Sequence, residues 1–357
     1  MIKSIKSAKV KGKRVLLRVD FNVPMKKGKV ADDFRIKKTM PTVKLLKEKG
    51  AKIIMISHLS GDGKKSLRPV ADFLSARQKI DFSPKLFGDK TDKKISEMND
   101  GDILLLENLR SEKGEEKNSR SFAKRLAALG DVYVNEAFSA SHRKHASIVG
   151  LPLMMPSFAG PLFGEEIKNL KTAFNPEHPF LLILGGIKFG TKLGVLKRFI
   201  KTADSIFIGG ALANNFFKEG GLEIGKSAYD KETDIKKYLN SKKIFLPVDV
   251  RTKRGAILDC GPNTIAMLKM MVSQSKFILW NGPLGDFEMK GFEKGTEALA
   301  KIIASSRARS VVGGGDTVAA IRKLGIMNKF SFVSTGGGAM LEFLSQGSLP
   351  GIRALEK

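Results

Sequence analysis

The chain has 357 residues, 42% hydrophobic and 28% charged, with 36 glycines and 13 prolines in no fixed period. That composition excludes wholesale disorder and a collagen-like fibre, and no apolar run reaches the roughly 18 residues of a spanning helix. The net charge is +27, yet it is evenly spread: 36 basic against 21 acidic side chains over residues 1–178, and 27 against 15 over 179–357. Such a balance raises anionic partners as a class. Without a basic tail or a basic-aromatic stripe, no dedicated nucleic-acid site is expected. The first 20 residues hold no apolar core of signal-peptide length, and the single cysteine, Cys260, has no disulfide or zinc partner. Both features point to a reducing cytoplasm.

Short apolar runs follow one another along the chain at 15–19, 53–56, 103–106, 132–134, 181–184, 206–208, 277–280, 311–312 and 332–333. Longer helix-like stretches lie between them. This alternation predicts parallel strands joined by crossover helices, with both sheet faces covered. LPLMMPSFAGP at 151–161, with three prolines and no charge, marks a boundary, and GEEIKNLKTAF after it has helical spacing. The predicted architecture is α/β: two Rossmann-like domains with parallel sheets, joined by a hinge helix. Its parts are an N-terminal domain at 1–157, a connecting helix at 158–173, a C-terminal domain at 174–342 and a tail at 343–357.

Open α/β sheets bind ligands beyond the carboxyl ends of their strands. In the first half those ends offer Asp20, Asn22, Arg35, His58, Arg110, His142 and Arg143. Convergent guanidinium groups suit a small substrate with more than one anionic group, because they bind carboxylate and phosphate bidentately. In the second half the ends carry Gly185-Gly186, Gly209-Gly210, GGGD at 313–316 and TGGG at 335–338. Backbone N–H groups at such turns cradle phosphate, and Asp316 is placed to hold a Mg²⁺ ion on a nucleotide. No Walker loop, dinucleotide fingerprint or nucleophile elbow is present. His145 and His178 are expected to be structural. An anion pocket on one half and a Mg-nucleotide pocket on the other describe a phosphotransferase, and a carboxylate acceptor would need no general base.

RVDFNVP (18–24), FRI around Arg35, SHL (57–59), LLENLR (105–110), VNEAFSASHRKHAS (134–147), GGIK (185–188), LPVD (246–249), WNGPLGDFE (280–288), GGGDT (313–317) and STGGGAMLE (334–342) occur in this order. Together they resemble the phosphoglycerate kinase family over nearly the whole chain. The resemblance implies a hinge-bending monomeric glycolytic kinase that uses ATP/ADP with Mg²⁺ and 3-phosphoglycerate/1,3-bisphosphoglycerate, with no membrane partner. It implies that Asp20, Asn22, Arg35, His58, Arg110 and Arg143 bind 3-phosphoglycerate in the first domain. Gly185, Gly186, Lys192, Gly209, Gly210, Pro283, Glu288 (toward the ribose), Gly315, Asp316 (metal) and Thr317 would take the nucleotide. Arg35, Lys188, Gly336, Gly337 and Gly338 would meet the transferring phosphoryl group, and the C-terminal tail would return to the first domain.

Three departures stand out. The chain reads Ser57-His58-Leu59-Ser60-Gly61-Asp62 where the family has Ser-His-Leu-Gly-Arg-Pro, so a substrate-contacting arginine is missing. Lys64, Lys65 and Arg68 are the candidate substitutes. Thr191 stands for an aspartate, and Asp286 for an apolar residue near the nucleotide. These changes motivate one alternative, a nucleotide-binding member with impaired catalysis; the charge alone motivates another, a nucleic-acid-binding protein.

Overall fold

The nine apolar runs all become strands, because burial on both sheet faces rewards continuous branched and aromatic side chains. The structure is a computed structural model and describes every residue except Met1, Ser60, Asp62, Glu232, Thr233 and Lys357. Its first sheet has six parallel strands: β1 (Arg14–Arg18), β2 (Lys52–Ile56), β3 (Asp81–Ser83), β4 (Ile103–Leu106), β5 (Val132–Asn135) and β6 (Ser157–Ala159), in the order β3-β4-β2-β1-β5-β6. The second holds β7 (Phe180–Leu184), β8 (Ser205–Ile208), β9 (Ile244–Phe245), β10 (Phe277–Asn281), β11 (Arg309–Gly313) and β12 (Phe332–Val333), in the order β9-β8-β7-β10-β11-β12. Renumbered within its own half, the second order is 3-2-1-4-5-6, the dinucleotide-fold arrangement whose switch point lies between its first and fourth strands.

Three strands of these two sheets were not anticipated, β3, β6 and β9, and all three are sheet edges; nor were two antiparallel ribbons, Met25–Lys26 with Lys29–Val30 and Val250–Lys253 with Ala256–Cys260. An edge strand has one neighbour and is short, so it need not carry a continuous apolar run, as β3 and β6 do not. The segment at 151–161, read as a boundary, thus contributes β6, which pairs with β5 from Tyr133↔Ser157 to Asn135↔Ala159.

The chain divides into two compact units, Met1–Ile167 with Ser348–Lys357, and Lys168–Gly347. The division falls inside the helix Pro161–Lys171. Its first turn is seated in the first unit by Glu136, whose carboxylate accepts from Leu162 N at 3.0 Å, Phe163 N at 3.1 Å and the Thr42 hydroxyl. The helix Gly338–Gln346 carries the second unit to Gly347, while Pro350–Leu355 belongs to the first, where Gly351 N donates to Ser141 O at 2.9 Å. Among the described residues no helix is long and apolar enough to cross a membrane.

Candidate active site

In the first unit the site grows from the turn after β1. Asp20 is buried and its carboxylate organises its neighbours: it accepts from Arg35 Nη1 at 2.7 Å, from Asn22 N at 3.0 Å and from the Ser139 hydroxyl. Burial alone would raise its pKa, but Arg35 and these hydrogen bonds win and hold it below the usual carboxylate range. Arg35 also donates to Asn22 O at 3.1 Å, so Asp20, Asn22 and Arg35 form one group. His58, after β2, brings Nδ1 to 3.9 Å from Asp20. Arg110, after β4, is nearly buried and lies 3.0 Å from Glu116. Arg143, after β5, is exposed, and no acid pairs with it among the described residues.

The field at this edge is positive. His58, His142 and His145 all have lowered pKa values, His145 to about 4, because each is partly or wholly desolvated and Arg143 adds to the effect at all three. Arg110 acts on His58 and His145 as well. A multiply anionic ligand would relieve that repulsion.

Of the three candidates for the missing arginine's role, Arg68 is already engaged. Its guanidinium lies 4.5 Å from the Phe82 ring centre and 3.8 Å from Asp72. Lys65 offers its carbonyl to Asn108 Nδ2 at 2.9 Å, and its side chain lies along Gly61. Ser60 and Asp62, in the shortened segment, lie outside the described residues.

In the second unit the two turns at the switch point touch. Gly185 N donates to Asn281 O at 2.9 Å, and Gly186 N to Pro283 O at 2.8 Å. Contact this close is possible only without a side chain: a Cβ on Gly185 would fall 2.2 Å from Pro283 O. Three helices open on this edge, Ala211–Glu219, Gly315–Lys323 and Gly338–Gln346. Each starts after a glycine of positive φ, Gly210, Gly314 or Gly337, and none has a side-chain cap. At Gly315–Lys323 the first N–H groups are left for a ligand, whereas Leu212 N donates to Gly186 O at 3.1 Å and Ala339 N to Gly336 O at 3.0 Å in the other two; helix N-termini favour anions.

Two adjoining cavities share this edge. One, of about 440 Å³, is lined by Gly186, Lys188, Lys192, Gly315, Asp316, Thr317, Gly337 and Gly338 among others. The second, of about 350 Å³, has Gly210, Phe217, Pro247, Ile257, Pro283 and Leu284 in its walls, with Asp286 and Glu288 exposed at its rim. Gly186, Pro283 and Asp316 border both. A chamber lined by glycine turns, two lysines and an aspartate, beside one walled by larger apolar side chains, has the form of a nucleotide site. Lys192 is nearly buried, and its pKa is lowered by desolvation and by Lys188, against the opposing pull of Asp316. Thr317 is buried and accepts from Gly282 N at 2.9 Å, tying the turn after β10 to the helix after β11. The Thr191 hydroxyl donates to Lys188 O at 2.9 Å, so the residue in the aspartate's place closes the turn that carries Lys188.

Three predicted residues of this unit line neither cavity: Gly185, packed on Pro283, Gly209 and Gly336. Gly209 abuts Leu284, where a Cβ would come within 2.7 Å of the leucine side chain. Gly336 N donates to Ser334 Oγ at 3.0 Å, so its amide is already used. His178 pairs with Asp204 at 2.6 Å, and Asp204 also accepts from Phe180 N at 2.6 Å, a structural clasp at the start of β7.

Sequence reasoning missed the residues behind the site. Ser139 holds Asp20, while Ser147 and Glu115 hold the buried Arg18. Asp259 accepts from Cys260 N at 2.9 Å and Gly295 N at 2.8 Å beneath the second cavity. Arg18 heads the same string as Asp20 and was legible to that extent; Glu115 and Asp259 carry no local signal.

A family model described as phosphoglycerate kinase matches residues 5–347. The chain is 43% identical over 380 residues to the phosphoglycerate kinase of Leptospira biflexa serovar Patoc, covering 97% of this chain and 96% of that one. To the phosphoglycerate kinase of Thermosipho africanus it is 43% identical over 390 residues, with 99% and 97% covered. Among solved structures, phosphoglycerate kinase from Coxiella burnetii superposes with a TM-score of 0.84 at 35% identity, covering 100% of this chain and 99% of that one. Phosphoglycerate kinase from Pyrococcus horikoshii gives a TM-score of 0.90 at 31% identity, with 99% and 98% covered.

Proposed function

The chain belongs to the phosphoglycerate kinase family, and from that premise we propose that it transfers a phosphoryl group reversibly between ATP and 3-phosphoglycerate, directly and in line, once its two units close. A carboxylate oxygen of 3-phosphoglycerate attacks the γ-phosphorus as the bond to the β-phosphate oxygen breaks, giving ADP and 1,3-bisphosphoglycerate. The acceptor is an anion at neutral pH, so no general base is needed. The observation that carries this reading is the chamber of about 440 Å³ that gathers two helix N-termini, Lys188, Lys192 and Asp316 in the second unit.

In this reading Asp20, Asn22, Arg35, His58, Arg110 and Arg143 hold 3-phosphoglycerate. Asp20 orients Arg35 and keeps one face of its guanidinium fixed. The second cavity, with its larger apolar walls, takes the base, Glu288 faces the ribose, and the amides opening Gly315–Lys323 and Gly338–Gln346 take the phosphates. Lys188 and Arg35 then meet across the transferring group, where charge spread over its equatorial oxygens is greatest. Closure excludes water that would hydrolyse the acyl phosphate.

Asp316 would hold Mg²⁺. Among the described residues no cluster of three or more His, Cys, Asp or Glu could cage a metal, and a lone carboxylate suits an ion that takes one or two carboxylates and completes its shell with phosphate and water. When bound, Mg²⁺ supplies positive charge to the phosphates. The test is a coupled assay with ATP, Mg²⁺ and 3-phosphoglycerate, in which turnover is expected. ATP binding without turnover would refute it and favour the non-catalytic member.

A further inference from the structure

Arg18 is a basic residue of the first unit to which the proposed reaction gives no role. It is wholly buried, and among the described residues no carboxylate lies within ion-pair distance of it. A buried guanidinium is costly unless its N–H groups find acceptors. Here Nε donates to Ser147 Oγ at 2.9 Å, Nη1 donates to Val19 O, and Nη2 lies 3.2 Å from His58 Nδ1. Ser147 is itself clamped on Glu115, donating its hydroxyl at 2.6 Å and its backbone N–H at 2.9 Å. Glu115 is also wholly buried, so the counter-charge to Arg18 reaches it through one hydroxyl.

A guanidinium has donors and no acceptor. The imidazole nitrogen facing Arg18 must therefore present a lone pair, which places the ring proton of His58 on Nε2. Asp20, at 3.9 Å from Nδ1, is too far to claim a proton there. The other charges around the ring are those of Arg110 and Arg143, and desolvation together with the three guanidiniums outweighs Asp20 and keeps the ring neutral.

We propose that Arg18, anchored through Ser147 on Glu115, is a positioning residue that locks His58 as the neutral Nε2–H tautomer, so that the ring meets an anionic substrate as a hydrogen-bond donor. This rests on the placement of 3-phosphoglycerate at the first-unit edge. A neutral donor among arginines adds direction to anion binding without adding repulsion, and it does so without taking up or releasing a proton.

The test is ¹⁵N NMR of the full chain labelled at histidine. In the native protein His58 should show a pyridine-type Nδ1 and a pyrrole-type Nε2 from about pH 5.5 to 8, and the Nε2–H resonance should move on titration with 3-phosphoglycerate. Arg18→Met should give mixed tautomers and raise KM for 3-phosphoglycerate about tenfold, with kcat and the nucleotide KM within about twofold. Because a substitution this deep can prevent folding, Ser147→Ala is the second variant. It leaves the charge of Arg18 in place, removes the acceptor of its Nε, and should shift the tautomer ratio in the same sense by a smaller amount. An imidazolium or an Nδ1–H ring in the native protein at neutral pH overturns the proposal, as does an unchanged tautomer in a folded Arg18→Met. A correct tautomer that ignores 3-phosphoglycerate upholds the lock and overturns the substrate placement instead.

Discussion

Two glycines of the second unit, Gly185 and Gly338, should respond to the same substitution in opposite ways. A Cβ on Gly185 would lie 2.2 Å from Pro283 O and 2.7 Å from Gly282 O. Both are backbone atoms, and Pro283 O is held by Gly186 N at 2.8 Å, so neither can swing aside. Gly185→Ala must therefore force the switch-point turns apart. Overpacking of this kind costs about 1–3 kcal/mol, and the broken hydrogen bond adds about 1 kcal/mol, for an expected loss of about 2–4 kcal/mol. At Gly338 nothing lies within 4 Å of an added Cβ. The residue opens a helix, where alanine is the better former by up to about 1 kcal/mol, so stability should hold or rise slightly. Yet that open space belongs to the chamber of about 440 Å³. A methyl there occupies the approach of a phosphate oxygen to the helix amides, and kcat/KM for the nucleotide should fall by at least about tenfold. Urea denaturation and steady-state kinetics with varied nucleotide, run on both variants, read the two effects. Native stability in Gly185→Ala would refute the close-approach argument, and native kcat/KM in Gly338→Ala would refute the phosphate assignment.

Lys188→Ala should lower kcat by on the order of 10²–10³ with little change in either KM, the pattern of a transition-state contact; a raised nucleotide KM at unchanged kcat would reduce Lys188 to an anchor. Asp316→Ala should abolish Mg-dependent turnover and leave 3-phosphoglycerate affinity intact by calorimetry, whereas the reverse pattern would exchange the roles of the two units. His58 and His145 are held neutral by burial and by nearby arginines, His145 down to about 4, while unfolded imidazoles titrate near about 6.5. Between those values the unfolded chain binds more protons, so their contribution to stability should be lost as pH falls from about 6.5 toward 4; calorimetric melting that shifts upward on acidification through this window would contradict the assignment. Finally, KM for 3-phosphoglycerate should rise with ionic strength more than kcat changes, since steering weakens as the Debye length shrinks to about 8 Å near 0.15 M salt. A flat KM across that range would rule steering out.

Central strands were legible because each is an unbroken apolar run: Leu181–Leu184 and Ile103–Leu106 need that composition to be buried on both faces. The parallel order made the strand ends the expected place for chemistry, and there the residue types themselves (arginines in one half, glycine turns with Asp316 in the other) were enough to propose two kinds of ligand. Three of the four edge strands of the two parallel sheets were not legible: Ser157–Ala159 becomes a strand only because β5 is there to pair with it. The same holds for the support behind the site. Arg18 meets Ser147 across 129 residues, and Ser147 meets Glu115 across 32. Neither pairing leaves a trace in local spacing, since a hydrogen bond constrains atoms in space and not positions in the chain. Arg68 shows the converse. Its sequence position fits it for the substrate, and only the packing of the first unit sends its guanidinium over Phe82 instead.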